Sequence, residues 1–221
     1  GRKTDVKGTA KLTTSHLAVG NYNVTIINPV TGEEVIKKLS IVKRIIDNKD
    51  VNMQFADGTK YVVRIIDDDG TPVGGGEVVK MTVNGRDYAP ITDADGYAKL
   101  KIELNPKTYT ITSQYKAYKV KNKIKITQTL KLAKKTITIK KSAKKLVLKA
   151  TLKWKNGKAI KGKKIIFKFK GKTYKAKTNK KGVAKVTLKK KVIKKLKKGK
   201  KYKYSAKYLT NKVNGKVKVK K

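Results

Sequence analysis

The chain has 221 residues, no Cys, one His, and 59 Lys plus Arg against 14 Asp plus Glu, for a formal net charge of +45. The absence of Cys excludes disulfides and thiolate metal sites, and no apolar run approaches the roughly 20 residues of a membrane-spanning helix. The charge is uneven: residues 131–221 hold 38 Lys and no Arg, Asp or Glu, whereas the first 130 residues net only +7. A single-sign field of that size is a means of binding polyanions, not a solubility device.

Residues 1–44 start at Gly1 without a hydrophobic leader, so the sequence reads as a mature or truncated C-terminal fragment. A turn at Thr4–Gly8 leads to a strand from Thr9, a corner at Leu17–Gly20, a strand Tyr22–Ile27, a Pro29–Gly32 turn and a strand Val35–Val42. These are expected to be the last three strands of a module. Three strands with one apolar face cannot bury that face alone. Either the segment is a cut half-module or another chain or module completes it, with Leu12, Tyr22, Val24 and Ile26 near an apolar interface. His16, in a Ser-His-Leu turn, is expected to be a solvated loop residue. Asn23-Val24-Thr25 is a glycosylation sequon, which makes Asn23 a candidate modification site.

Residues 45–127 read as one whole module. Period-two alternation predicts strands at Val51–Phe55, Tyr61–Ile66, Glu77–Val83, Arg86–Ile91, Tyr97–Leu104, Thr108–Tyr115 and Tyr118–Ile126. Asn84-Gly85 between alternating runs signals a tight hairpin. Asp67–Val73 and Gly74-Gly75-Gly76 mark loops. Seven short strands with turns this frequent predict a Greek-key sandwich.

Residues 128–221 repeat that plan in lysine. Ile165, Phe167 and Phe169 alternate with Ile166, Lys168 and Lys170, and Val217 and Val219 alternate with Lys216, Lys218 and Lys220. Lys189–Leu196 reads as an insert with a short helical turn. The persistent alternation predicts a folded module and not a disordered low-complexity tail. Lys168, Lys170, Lys175, Lys177, Lys216, Lys218 and Lys220 are the candidate polyanion contacts.

One frame runs through all three segments. Thr4-Asp5, Gly8, Ala10-Lys11-Leu12 and Tyr22 recur as Thr92-Asp93, Gly96, Ala98-Lys99-Leu100 and Tyr109, and again as Thr178-Asn179, Gly182, Ala184-Lys185-Val186 and Tyr202. The copies start 88 and then 86 residues apart, so the chain is a tandem array. The Asp or Asn side chain binds its own backbone and the Gly supplies a positive φ. A Tyr opening the strand after a corner has the form of the tyrosine corner of immunoglobulin-like sandwiches. The expected fold is therefore all-β: tandem Ig-like sandwich modules, the first incomplete, bounded at 1–44, 45–127 and 128–221.

Asp69-Gly70-Thr71-Pro72-Val73, then Val83-Asn84-Gly85, Thr92-Asp93 with Gly96, and Leu104-Asn105-Pro106-Lys107-Thr108-Tyr109 resemble the immunoglobulin-like repeats of adhesin-like surface proteins of methanogenic archaea. Leu17 to Gly32 is similar to the repeat ending of those proteins, and Lys161 to Gly182 resembles the Lys-rich module with which many of them end. Lys107 stands where the family usually has Gly, and Gly74-Gly75-Gly76 is richer in Gly than usual. The resemblance spans essentially the whole chain. It implies an extracellular, wall-associated repeat protein that displays adhesive modules, and it brings no catalytic residues.

Catalysis and a cofactor are not expected: there is no Cys, no partner for the one His, and no strand-to-helix Gly loop for a phosphate. Asp67, Asp68, Asp69, Asp93 and Asp95 could supply oxygen ligands to calcium, but ordinary Asp–Gly turns use the same residues. The sequence thus predicts a structural adhesin-like protein. Its lysine module would hold an anionic cell-wall polysaccharide or other polyanion, and neighbouring copies of the chain are possible partners. Two rivals stand beside that reading: a filament subunit completed by strand addition, and a non-specific binder of extracellular DNA. Against the second, the lysine module has no Arg, the usual base reader.

Overall fold

The computed structural model describes residues 4–14 and 16–220. Its first element is a hairpin of β1 (Gly20–Ile27) and β2 (Glu34–Ile41), paired from Gly20 opposite Ile41 to Ile27 opposite Glu34. Then follow β3 (Ile45–Ile46), β4 (Val51–Gln54), β5 (Lys60–Ile65), β6 (Lys80–Val83), β7 (Arg86–Tyr88), β8 (Tyr97–Lys101), β9 (Thr108–Tyr115) and β10 (Tyr118–Thr127). The last stretch holds β11 (Leu130–Leu132), β12 (Thr136–Ile139), β13 (Lys145–Leu152), β14 (Lys164–Phe169), β15 (Lys172–Lys177), β16 (Val183–Lys189), the one-turn helix α1 (Lys190–Ile193), β17 (Lys201–Tyr208) and β18 (Asn211–Val219).

The strands form the same two sheets twice. One set has the orders β4-β10-β9-β6-β7 and β3-β5-β8, and the other β12-β18-β17-β14-β15 and β11-β13-β16. In each five-stranded sheet the first strand runs parallel to the last: β4 pairs β10 from Val51 opposite Ile124, and β12 pairs β18 from Thr136 opposite Lys216. The fold is all-β with sandwich modules in tandem.

Burial follows the alternation. Tyr61, Val63 and Ile65 of β5 are buried, as are Leu146, Leu148, Ala150 and Leu152 of β13 and Ile165, Phe167 and Phe169 of β14. At about 25 cal/mol per Å2 of apolar surface these side chains supply the main drive for folding. Val183 and Val186 of β16 are half-buried.

The recurring turn docks on its sandwich in two of its three copies. Asp93 Oδ1 accepts from the Tyr97 N–H at 2.9 Å, and Asn179 Oδ1 from the Val183 N–H at 3.0 Å. Thr92 and Thr178 are buried, and their hydroxyls donate to Gly74 O at 2.8 Å and Ile160 O at 2.7 Å. Gly182, at φ +72°, lies so near β13 that a Cβ would meet the Leu152 carbonyl oxygen at 2.4 Å. Around Gly8, φ +73°, nothing lies within 4 Å of a Cβ. The first turn keeps its own bonds, with Asp5 Oδ1 accepting from Lys7 N and Thr9 N at 2.9 Å each, but among the described residues it has no strand to dock on as Gly182 has β13.

Residues 1–44 depart from expectation. The strand foreseen from Thr9 is absent; two strands form, not three. The counterparts of β12 and β14, which flank the equivalent hairpin β17–β18, are missing beside β1–β2 among the described residues. A strand needs a neighbour for its backbone groups, so the chain from Thr9 stays irregular. Leu12 and Ile26, placed at an apolar interface by sequence, are 54% and 56% exposed; Tyr22 and Val24 are half-exposed.

By contacts the chain divides into two compact units: Gly1–Lys49 with Val62–Leu100 and Thr112–Lys121, and Asp50–Tyr61 with Lys101–Ile111 and Asn122–Lys221. In the first, Arg44 is buried and its guanidinium bonds Asp67 at 3.3 Å and also Asp68. In the second, Phe55 packs edge-on against Tyr208 with ring centroids 5.9 Å apart. Asn105 Oδ1 accepts from the Thr210 hydroxyl at 2.9 Å, and Gln128 Oε1 from Asn211 Nδ2 at 2.9 Å. Phe55 and Asn105, in the loops at 55–59 and 102–107, thus touch Tyr208 and Thr210 of the lysine sandwich, while Gln128–Asn211 lies within it.

Candidate polyanion-binding face

The candidate face is built by register. In β17 the residues Tyr204 and Ala206 point into the sandwich, so Lys201, Lys203 and Lys207 point out. In β18 Val217 and Val219 are buried, which turns Lys212, Lys216 and Lys218 outward. In β14 and β15 the same parity exposes Lys164, Lys168, Lys175 and Lys177. One face of the five-stranded sheet therefore carries ten lysines.

Pairing sets them against each other. Lys201 lies opposite Lys218, Lys203 opposite Lys216, and Lys207 opposite Lys212. Lys164 lies opposite Lys177 on the neighbouring ladder. Cβ atoms of directly opposed residues stand about 5 Å apart, and like charges there are destabilising. With no acid anywhere in residues 131–221, no side chain of this stretch relieves them. Between the paired lysines lies one neutral rung, Ser205 opposite Asn214, beside Lys168 of β14. Above this region is a hollow of about 560 Å3 lined by Lys135, Thr136, Lys203, Lys212, Asn214 and Lys216.

The other face of the sandwich is weaker in charge. On β13 and β16 Lys149 opposes Lys185 and Lys145 opposes Lys189, but Val147 opposes Thr187 and Thr151 opposes Val183. The middle module differs too. Its β9 carries Thr108, Thr110, Thr112 and Gln114 where β17 carries the exposed Lys201, Lys203 and Lys207 and the buried Ser205. Lys80 there is paired with Asp87 at 2.8 Å.

Of the seven lysines singled out by sequence, five share the face: Lys168, Lys175, Lys177, Lys216 and Lys218. Lys170, in the β14–β15 turn at φ +46°, turns away. Its Nζ sits 5.2 Å from the Tyr202 ring centroid and donates to Lys195 O at 3.4 Å. Lys220 lines a separate cleft of about 410 Å3 with Lys140, Lys141, Ser142 and Lys198. Lys164, Lys201, Lys203, Lys207 and Lys212 were missed by sequence. Their alternation was visible, but which strand lies beside which was not. Asn23, the sequon residue, is exposed on β1 opposite Lys38.

Four of the five acidic residues weighed as calcium ligands, all but Asp95, are otherwise engaged. Asp67 and Asp68 hold Arg44, Asp69 accepts from the Thr71 hydroxyl at 2.6 Å, and Asp93 holds Lys99 at 2.6 Å. The Thr71 hydroxyl holds the Asp69 carboxyl below its usual pKa, and the Lys99 ammonium does the same for Asp93. Among the described residues no three of His, Cys, Asp and Glu are grouped to hold a metal ion. No helix of the described residues is long and apolar enough to cross a membrane.

No family model matches the chain, and no curated protein matches it in sequence. Solved structures do. The I9–I11 tandem of titin aligns over 91% of this chain and 74% of its own, at 12% identity and TM-score 0.43. A calcium-stabilised adhesin with which an Antarctic bacterium binds ice aligns over 90% and 56%, at 14% identity and TM-score 0.26. Invasin, a bacterial integrin-binding protein, aligns over 78% and 38%, at 15% identity and TM-score 0.33. At such scores the likeness carries no function across.

Proposed function

We propose that the chain is part of an extracellular, non-enzymatic adhesin-like repeat protein whose lysine module grips an anionic cell-wall polymer. The observation that carries this reading is the face of ten outward lysines with no acid within residues 131–221. The resemblance in sequence supports a methanogen wall as the setting, with acidic sugars and peptide carboxylates as counter-charges. Each near-surface Lys contributes about 1 kcal/mol at a charged membrane, so a few engaged lysines suffice for retention. On this reading residues 1–44 are half of a further module, and Asn23 on its exposed strand is a glycan acceptor.

The test is co-sedimentation with isolated methanogen walls at stepped salt. Retention falls steeply as the Debye length shrinks from about 10 Å at 0.1 M to about 3 Å at 1 M, and Lys168, Lys175, Lys177 and Lys216 changed together to Gln weaken it without unfolding the module. Retention unchanged at 1 M salt means a neutral sugar pocket and removes the charge grip.

One observation favours a second reading, a filament subunit completed by strand addition. Ile26, Ile27, Val35 and Ile36 of the β1–β2 hairpin are 56%, 55%, 41% and 63% exposed. A chain that stays monomeric across concentrations in sedimentation velocity rules it out.

A further inference from the structure

We infer that the β17–β18 hairpin is a track for one linear acidic polysaccharide, seated with an uncharged stretch over Asn214 and its anions between the opposed lysines. The inference rests on the charge-grip reading and names its partner and its place.

Three rungs of the hairpin are Lys–Lys pairs, at 201/218, 203/216 and 207/212, and the rung between the last two is Ser205/Asn214. Successive rungs lie about 7 Å apart, two residues along a strand. The track therefore reads charged, charged, neutral, charged. An anion centred between two opposed ammonium groups is attracted by both and screens each from the other. The same contact thus binds the polymer and removes the like-charge cost of the pair.

The neutral rung selects the polymer type. The hollow of about 560 Å3 at Asn214 has an exposed amide and the Thr136 hydroxyl among its walls. Those groups donate and accept hydrogen bonds, as sugar hydroxyls need. Thr138 continues that character beside Lys218. The aromatic rings of the hairpin, Tyr202, Tyr204 and Tyr208, alternate with the outward lysines and belong to the inner side of the sheet. The face therefore offers no stacking platform for bases, and the module has no Arg to read them. A sugar chain with carboxylates or sulfates matches both halves of the pattern.

Position, not total charge, is what the test must isolate. Asn214→Asp places a carboxylate in the hollow, and Thr187→Asp places one on the three-stranded face; each lowers the net charge by the same amount. Binding of the full chain to polygalacturonate is measured for both by titration calorimetry at 0.1 M salt, with duplex DNA of equal charge as comparison. The expected result is a loss of about tenfold or more for Asn214→Asp and about twofold or less for Thr187→Asp. Melting temperatures check folding, and neither variant should fall, since each relieves repulsion. Equal losses overturn the hairpin track while leaving the charge grip standing. Tighter binding of DNA than of polygalacturonate overturns the saccharide assignment. Wild-type chain that binds neither polyanion removes the grip itself.

Discussion

The Tyr109 hydroxyl donates to the Asn105 carbonyl oxygen at 2.9 Å, tying the start of β9 to the corner just before it. Tyr22 makes the same bond to Ala18 O at 2.9 Å. In the lysine module the sense reverses, and the Lys197 N–H donates to the Tyr202 hydroxyl at 2.7 Å. All three tyrosines thus hold the backbone four or five residues upstream. Tyr109→Phe should cost about 1 kcal/mol, the usual net worth of one such bond. Tyr22→Phe, on a hairpin without a core, should change global stability much less. Urea denaturation of both variants checks this, and equal costs would mean that the first hairpin is packed in solution.

Arg44 holds the loop that a calcium ion would need. Its side chain is 3% exposed, while Asp67 and Asp68 are 55% and 93% exposed. The buried member is the cation, so removing its partners leaves a charge unpaired. Asp67→Asn with Asp68→Asn should lower stability by about 2 kcal/mol, less than for a fully buried pair because solvent can reach the loop. Millimolar calcium should leave the melting temperature of the wild-type chain unchanged. A calcium-dependent rise would mean that the ion displaces Arg44.

Much of this was legible in sequence because period two and the Thr-Asp-x-x-Gly frame are local signals. The hairpin turns at Asn84 and Lys170 each have Gly next, and their strands fall where alternation puts them. The short strands β3 and β11 were not visible, since two or three residues carry no period. The ten-lysine face was half legible. Alternation placed Lys216 and Lys218 outward, but only the pairing of β17 with β18 sets Lys203 against Lys216. That is a non-local fact. Lys170 went astray because a turn residue at positive φ breaks the alternation that its neighbours obey.

Acid should separate the two halves of the charge distribution. Asp50 is held below its usual pKa by the Lys123 N–H and the Asn122 side chain, Asp87 by Lys80 and Thr82, and Asp93 by Lys99 and the Tyr97 N–H. A depressed folded pKa gives stability that is fully present above the unfolded value of about 3.9 and is lost as pH falls through the folded value. Residues 131–221 contain no side-chain carboxylate to lose. Lowering the pH from 5 to about 2.5 should therefore loosen the middle module first. Hydrogen exchange at Ile111 would quicken while the fluorescence of Trp154, the chain's one Trp, stays native. Simultaneous loss of both signals would show that the two modules unfold as one cooperative body.

Lys141 should behave opposite to the lysines of the open face. Lys141 Nζ donates to Lys194 O at 2.6 Å, to Ile193 O at 3.5 Å and to Leu196 O, so it caps the carbonyl end of α1. A cation there satisfies orphan carbonyls and opposes the helix dipole. α1 in turn buries Ile193, and the turn after it buries Leu196. Lys141→Gln should then destabilise the lysine module by about 1 kcal/mol or more. This holds although the change removes one charge from a self-repelling surface. Its neighbour Lys140 is exposed on the same cleft, and Lys140→Gln should leave stability unchanged or raise it at low salt. Thermal melts followed by Trp154 fluorescence at about 20 mM and about 500 mM salt separate the two effects. The Lys140 gain should vanish at high salt, and the Lys141 loss should remain. A Lys141 loss that also vanished would make that lysine one more solvated charge, and the capping role would be abandoned.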